Sequence, residues 1–509
     1  MKRQTKLLLV SLISAALIAA ACGDDGDTTE PTATTPSATA GGPTTSAANT
    51  ASDTGVTATE IKVAIHAADL SGLIKAGVIK GVPEDAHTAN ALRISYYLDK
   101  WNAENGINGR KFVYELITWD PADPKTYQTS CQKVIDAKVF MVISSGGGFP
   151  ADSTPCITNE GNTIYMALDA LSAKHYKDAG GNLIGLSPPG AASAQAGTEA
   201  LVKSATALPK ATAKVAVLRG DWDFQTEAFN ETDKILKREG YSVVFSEAIK
   251  VANLSATDSA RNVALSVVKV KAAGATHVIN MLPFTQFGIF PTEATKSALT
   301  PKYLFVDISS GMCQTFTASQ LPQELDGALC LTHWNNMRWD TAGNVAKDTP
   351  FEAQCRLDYE ATYKGKPVGK DFPVYTKSNP GVSYPGIKDA TGKQIDMDQS
   401  YYECSLMQLV KAGIEGAGGN LTKKTFQDAL YAKKDFEAAG LAGGKGTIEP
   451  NKPWLASSVH QIVVTTNPTG FAPGTTADAK GLYNGKCPSP LGCWRTVPNT
   501  TTALTYKLT

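Results

Sequence analysis

Over most of this 509-residue chain, short apolar runs alternate with stretches whose apolar positions recur at helical spacing. Ile61-Lys62-Val63-Ala64-Ile65 reads as a strand, leaving through the small and polar His66-Ala67-Ala68-Asp69-Leu70-Ser71-Gly72. From Asp85 to Asn105, the positions of Ala91, Leu92, Ile94, Tyr97, Leu98 and Trp101 mark one face of a helix, which Gly106 stops. Phe112 to Trp119 predicts a second strand and Pro124 to Ala137 a second helix. The unbroken apolar run Val139 to Ile143 predicts a third strand, ending in Ser144-Ser145-Gly146-Gly147-Gly148. Unbroken apolar strands separated by helices imply a parallel sheet covered on both faces, with right-handed connections.

After a Pro/Gly/Ala joint at Ser187 to Ala192 the rhythm restarts. Lys214 to Leu218 leads as a strand into Arg219-Gly220-Asp221-Trp222-Asp223-Phe224, followed by a helix from about Gln225 to Glu239, a strand Ser242 to Phe245, a helix Ser259 to Ala273 and a strand Thr276 to Met281. The expectation is two α/β lobes. Further helices near Phe351 to Tyr363 and Tyr401 to Gly413 are available to the first lobe. The boundaries that follow are 57–186 with 334–440 for lobe 1, and 187–333 with 441–509 for lobe 2.

The N-terminus breaks this pattern. Lys2, Arg3 and Lys6 precede the apolar stretch Leu7 to Leu17, and Ala19-Ala20-Ala21 precede Cys22. This is the layout of an export signal spanning 1–21. The run falls short of the ~20 apolar residues of a membrane span. Small residues leading into Cys22 resemble a bacterial lipobox, although Ala19 stands where Leu is usual, so Cys22 is expected to be acylated. Residues 22–56, nearly devoid of large apolar side chains, read as a disordered Thr/Ala/Ser/Pro tether. The chain is thus expected outside the cytoplasm, lipid-anchored to a bacterial cell membrane.

Lys+Arg and Asp+Glu balance at 48 each, so no global field draws the chain to nucleic acid. No second apolar run approaches membrane length, which excludes a permease. Eight cysteines follow Cys22 in close couples: Cys131/Cys156, Cys313/Cys330, Cys355/Cys404 and Cys487/Cys493. In an exported chain four disulfides are expected, nearest neighbours paired, although eight cysteines allow 105 connectivities. No couple has Cys-x-x-Cys spacing and the six histidines are scattered, so neither a metal nor a cofactor is expected. Residues 364–400 read as a surface insertion, and the Thr/Gly/Pro-rich tail from Thr466 onward as a decoration.

Several phrases resemble one known family: the opening strand with its Ser-Gly loop, Trp101-Asn102-Ala103-Glu104-Asn105-Gly106-Ile107-Asn108-Gly109-Arg110-Lys111, the turn Asp120-Pro121-Ala122-Asp123-Pro124, the glycines after Ile143, and Asn159-Glu160-Gly161-Asn162-Thr163-Ile164. Together they look like the type I solute-binding proteins, and within them the branched-chain amino acid (leucine/isoleucine/valine) binding family of ABC importers. The resemblance covers roughly residues 57–340. It implies an α/β fold of two Rossmann-like, doubly wound lobes joined by three crossovers, acting as a monomer and handing a small molecule to an ABC-transporter permease. A surface receptor or sensor of the same fold is the alternative.

Ligands of open parallel sheets sit beyond the carboxyl ends of the strands, which makes the loops after Ile65, Ile143, Leu218, Met281 and Val306 the candidate site. By resemblance, Gly146, Gly147, Gly148 and Phe149 and the turn Asp169-Ala170-Leu171 face the ligand from the first lobe. There, Gly and Leu replace the expected hydroxyl residues. Asp69 in the first loop joins them, and Trp222, Phe224, Phe284 and Asp307 face the ligand from the second lobe. The aromatic residues favour a ligand with an apolar or planar part. No catalytic motif survives inspection: Ser266-Val267-Val268-Lys269 lies within a helix without its Lys-Thr-Gly partner, and in Gly443-Gly444-Lys445-Gly446-Thr447 a Gly follows the Lys. The expected protein is not an enzyme.

Overall fold

In a computed structural model, residues 48–75, 86–120, 123, 125–146, 154–251, 254, 256–282, 286–308, 313, 325–335, 349–363, 382–388, 394–397, 402–465 and 493–508 are described. The chain first forms β1 (Glu60–Ala68), α1 (Ser71–Lys75), α2 (Ala86–Ala103), β2 (Lys111–Trp119), α3 (Lys125–Ala137), β3 (Met141–Ser144), β4 (Ile164–Ala167), α4 (Ala173–Asp178) and β5 (Leu183–Gly185). Their strands align in the parallel order β2-β1-β3-β4-β5. All four residues of β3 are buried, as a strand covered on both faces requires.

The turn from α2 to β2 explains the Asn-x-x-Gly-Ile-x-Gly phrase. Asn105, Gly106, Asn108 and Gly109 have φ of 72, 77, 51 and 74°, a region that Gly and Asn enter at least cost. A Cβ on Gly106 would lie 2.0 Å from the Arg110 carbonyl oxygen. Asn102 locks the turn: its side-chain amide donates to Phe112 O (2.9 Å) and accepts from Phe112 N–H (2.6 Å).

A second sheet follows: α5 (Gly190–Val202), β6 (Lys214–Gly220), α6 (Asp223–Arg238), β7 (Ser242–Phe245), β8 (Ala248–Ile249), α7 (Ala256–Ala272), β9 (His277–Asn280), α8 (Ile289–Lys296), β10 (Lys302–Val306) and β11 (Leu329–Thr332). The parallel order is β11-β10-β9-β6-β7, with β8 beside β6. Successive β6 residues serve opposite faces: Val215 and Val217 pack with Leu236, Ala216 and Leu218 with Val263 and Val267. The chain then builds α9 (Pro350–Tyr363), the hairpin β12 (Val382–Lys388) and β13 (Gln394–Met397), α10 (Tyr402–Ala417), α11 (Lys423–Ala432), β14 (Phe436–Glu437) and β15 (Lys445–Gly446). It rejoins the second sheet through β16 (Ser458–Thr465), antiparallel to β11, followed by β17 (Cys493–Thr496) and β18 (Thr502–Ala503), both paired with β16.

The structure differs from the sequence reading at five places. First, β1 continues past Ile65 because β2 runs beside it as far as the Ala68–Trp119 pair. His66, read as an exit residue, is 1% exposed, with Nε2 3.3 Å from Ser130 Oγ. Second, only Leu186–Pro189 serves as a joint; Gly190 onward is helical, and its small residues allow close packing, as where Gly197 meets Val306 and Leu331. Third, the tether ends earlier than 56. Thr50 N–H donates to Gly419 O (3.2 Å), Ser52 Oγ to Leu421 O (2.5 Å), and Asp53 pairs with Lys423 at 2.6 Å. Fourth, Leu441, Ile448, Trp454, Leu455 and Ala456 belong to the core of the first sheet, so the return to the second comes near Ser458 rather than 441. Fifth, β17 is no decoration, since Trp494 is fully buried 6.1 Å from the Phe305 ring.

Three of the expected disulfides form: Cys131–Cys156, Cys313–Cys330 and Cys355–Cys404, with Cα separations of 6.2, 6.5 and 5.6 Å. Cys487, the export signal, Cys22, Gly147, Gly148, Phe149 and Phe284 lie outside the described residues, as does most of 364–400. Among the described residues no helix is long and apolar enough to cross a membrane.

Candidate functional site

Parallel strand ends bring two sets of loops together. The first sheet supplies Asp69 after β1, Ser145-Gly146 after β3 and Leu168 to Ser172 after β4. The second supplies Asp221-Trp222 after β6, Met281-Leu282 after β9, Asp307-Ile308 after β10 and His333-Trp334 after β11. Three chain crossings link them, at 186–189, 333–335 and 456–458. The crossings are tied to one another and to their neighbours: Leu455 N–H donates to Gly185 O and Ala456 N–H to Leu186 O (both 2.9 Å), while Ala442 N–H donates to His333 O (2.8 Å). Gly190 N–H, just past the first crossing, donates to Leu171 O at 3.3 Å.

One carboxylate spans the two lobes. Glu227, one turn into α6, accepts Ala173 N–H on Oε2 (2.7 Å) and Lys174 N–H on Oε1 (3.1 Å), both at the start of α4. Ser172 Oγ accepts the backbone amide of His175 at 3.0 Å. Burial pushes the Glu227 carboxyl above its ordinary range, against the pull of the two amides. The start of α4 on the first lobe and the first turns of α6 on the second therefore meet through specific hydrogen bonds.

The residues expected at the site divide by burial. Asp69 is half-buried; its carboxylate accepts Ser71 N–H (3.0 Å) and its own N–H donates to Trp119 O (2.7 Å). Gly146 sits at φ 88°, donating its N–H to Ser144 Oγ (3.2 Å), with Leu168 3.6 Å from where a Cβ would be. Asp169 and Ala170 are half-exposed on the loop after β4. Trp222, also half-exposed, precedes α6 with its ring 5.7 Å from that of Phe224. In contrast, Leu171, Phe224 and Asp307 are 2, 7 and 0% exposed. Phe224 is packed into the core of the second lobe with Ala228 and Leu236. The Asp307 carboxylate accepts Thr332 Oγ1–H at 3.0 Å, and its N–H donates to Leu331 O.

Sequence reasoning placed Ser145 in the loop after Ile143 and read His333-Trp334 as hinge packing at a crossover, but missed Ser172 and Glu227 as parts of this region. Ser172 had a local signal, a cap residue ahead of a short helix. Glu227 had none, because its partners lie 53 and 54 residues away. Chemically, the arrangement offers a half-exposed indole, glycine backbone and carboxylates on two opposed walls, suited to holding a small molecule with a planar or apolar part.

A family model described as periplasmic binding protein matches residues 85–372, over half of the chain. A comparison with curated protein sequences finds no significant match. Among solved structures, a fatty acid ABC transporter substrate-binding protein from Thermomonospora curvata is 14% identical, with 81% of this chain and 90% of that one covered and a TM-score of 0.56. An ABC transporter solute-binding protein from Rhodopseudomonas palustris BisB5, in complex with 3,4-dihydroxybenzoic acid, is 14% identical over 88% and 98%, TM-score 0.57. A leucine-, isoleucine-, valine-, threonine- and alanine-binding protein from Brucella ovis, in a closed conformation, is 14% identical over 87% and 95%, TM-score 0.54. At such identities the likeness establishes the fold, that of type I periplasmic binding proteins.

Proposed function

The chain belongs to the periplasmic binding protein family, and from that premise we propose that it is an extracytoplasmic solute-binding lipoprotein, anchored through Cys22, that delivers a small organic ligand to an ABC importer. The ligand is an amino acid or a related amide or carboxylate, held between the lobes. The observation that carries this reading is the opposition of two sets of parallel-strand ends across three crossings, with Glu227 reaching from α6 to α4. A molecule touching both walls binds the closed arrangement more tightly and shifts the population toward it. Closure is then what a permease reads. The ligands named for the structural neighbours are a fatty acid, 3,4-dihydroxybenzoic acid, and leucine, isoleucine, valine, threonine and alanine, most of them acids with an apolar or planar body that Trp222 suits.

A panel of amino acids, amides and small carboxylates, aromatic acids included, is expected to contain a molecule that raises the melting temperature. At 100 times its dissociation constant it adds about 2.7 kcal/mol of stability. Trp222→Ala is expected to weaken that molecule roughly tenfold through lost ring contact, with little change in the ligand-free melting temperature. Phe224 is no equivalent probe, since truncating a core Phe costs about 3–5 kcal/mol by itself. The reading fails if nothing in the panel stabilises the protein, or if Trp222→Ala costs core-like stability and leaves affinity intact. Separately, Cys22→Ser is expected to move the chain from the membrane to the soluble fraction; a variant still in the membrane fraction would rule out the lipid anchor.

A further inference from the structure

Two buried histidines sit at the crossings. His333, 0% exposed, has Nε2 3.0 Å from Ser187 Oγ on the first crossing. Ser187 Oγ is also 2.6 Å from Leu168 O. A carbonyl only accepts, so the hydroxyl hydrogen goes to Leu168 and the Ser187 oxygen accepts from His333. Nε2 therefore carries the proton and Nδ1 is a bare lone pair. Nδ1 is shielded from solvent and has no hydrogen-bond partner among the described residues. The second histidine, His460 on β16, has Nε2 2.7 Å from Trp334 O and must donate to it.

A second proton on His333 would create a buried cation whose new N–H meets no acceptor. The titratable groups facing it give no relief. His460 comes from β16, Tyr402 from α10 behind the Trp334 ring (4.2 Å), Tyr176 from α4 through its hydrogen bond to Ser187 O (3.0 Å), and Asp307 from the end of β10 through Thr332. Burial, with His460 adding repulsion, holds the imidazole down to about 3.

We propose that His333 is an acid-sensitive catch on the hinge: its second protonation requires the crossings to part, so acid favours the open lobes and release of the bound molecule. The inference rests on the hinged-lobe reading above and adds its regulation. The sign follows from linkage. A histidine depressed in the closed form takes up protons on opening, so opening gains as pH falls below the ordinary value of 6.5 toward 3. At pH 5 the gain over pH 7.5 is about 30-fold.

The test uses the full chain without ligand. Amide exchange at Ala442 and Ala456, whose N–H groups tie the crossings, is measured at pH 7.5 and pH 5 and corrected for intrinsic rates. Protection is expected to fall about 30-fold in the wild type, and to stay within about threefold in His333→Gln, whose amide still donates to Ser187 but does not titrate. An unchanged wild type, or an equal fall in the variant, overturns the proposal. Should the variant fail to fold, wild-type exchange at the His333 ring carbon decides. Its acid transition must share the midpoint of the Ala442 and Ala456 transition, and separate midpoints sink the catch. None of these readouts needs a ligand, so a panel without a binder would defeat the functional reading and leave this result standing.

Discussion

Arg110→Ala is expected to lower the unfolding free energy by about 4–5 kcal/mol, near the upper end for one substitution. Its guanidinium is fully buried and donates to four carbonyls: Thr57 O (2.9 Å), Gly418 O (3.1 Å), Thr50 O (3.1 Å) and Gly419 O (2.6 Å). The four belong to two segments distant in sequence, the docked N-terminal stretch and the α10–α11 connection. Alanine leaves these acceptors facing a void; Gly419 O keeps the Thr50 N–H, and a carbonyl left unsatisfied costs about 1–3 kcal/mol before relaxation and water recover part of it. Lysine keeps the charge but not the fork, and should restore less than half of the loss. Denaturant unfolding gives the magnitude, and amide exchange should show residues 49–56 losing protection. A loss below about 1.5 kcal/mol, with that stretch still protected, would contradict this account.

Breaking the buried ion pair behind the first lobe ranks next. Arg93 on α2 meets Glu403 on α10 at 2.9 Å, both side chains 4% exposed, and the guanidinium lies 5.7 Å from the centre of the Tyr359 ring on α9. Burial pushes the Glu403 carboxyl up while Arg93 pulls it back. Glu403→Ala leaves a cation that cannot shed its proton inside the lobe, a loss of about 3–5 kcal/mol. The paired replacement Arg93→Met with Glu403→Leu removes both charges and should recover most of that loss. Denaturant midpoints of the three variants check it; a double variant no better than Glu403→Ala would mean the cost is packing rather than charge.

The sequence was most legible where local chemistry decides geometry. The turn of Asn105, Gly106, Asn108 and Gly109 is readable because few residues tolerate positive φ, and the strands around β3 because a strand buried on both faces must be apolar throughout. Three cysteine couples were legible because short loops close on nearest neighbours. Helix α5 was opaque: Gly190, Ala191 and Ala192 have the composition of a joint, and only the neighbours they meet in the fold, Ile308 and the Phe224 carbonyl at Gly190 and Val306 and Leu331 at Gly197, give the small residues of this helix their purpose. In the site, Trp222 and Phe224 look alike in sequence. At the start of α6, Trp222 caps the helix half-exposed while Phe224, inside its first turn, is buried in the core, a difference set by the sheet beneath. Glu227 was invisible because its meaning lies in amides on another lobe.

Each of the three described disulfides closes within a lobe: Cys131–Cys156 and Cys355–Cys404 in the first, Cys313–Cys330 in the second. None of these covalent ties spans the crossings. Reduction of these three bridges would therefore loosen either lobe without cutting a tie between them. Among the described residues, sulfur chemistry bears on the durability of each lobe, while the join between the lobes is written in the hydrogen bonds of a few crossing residues.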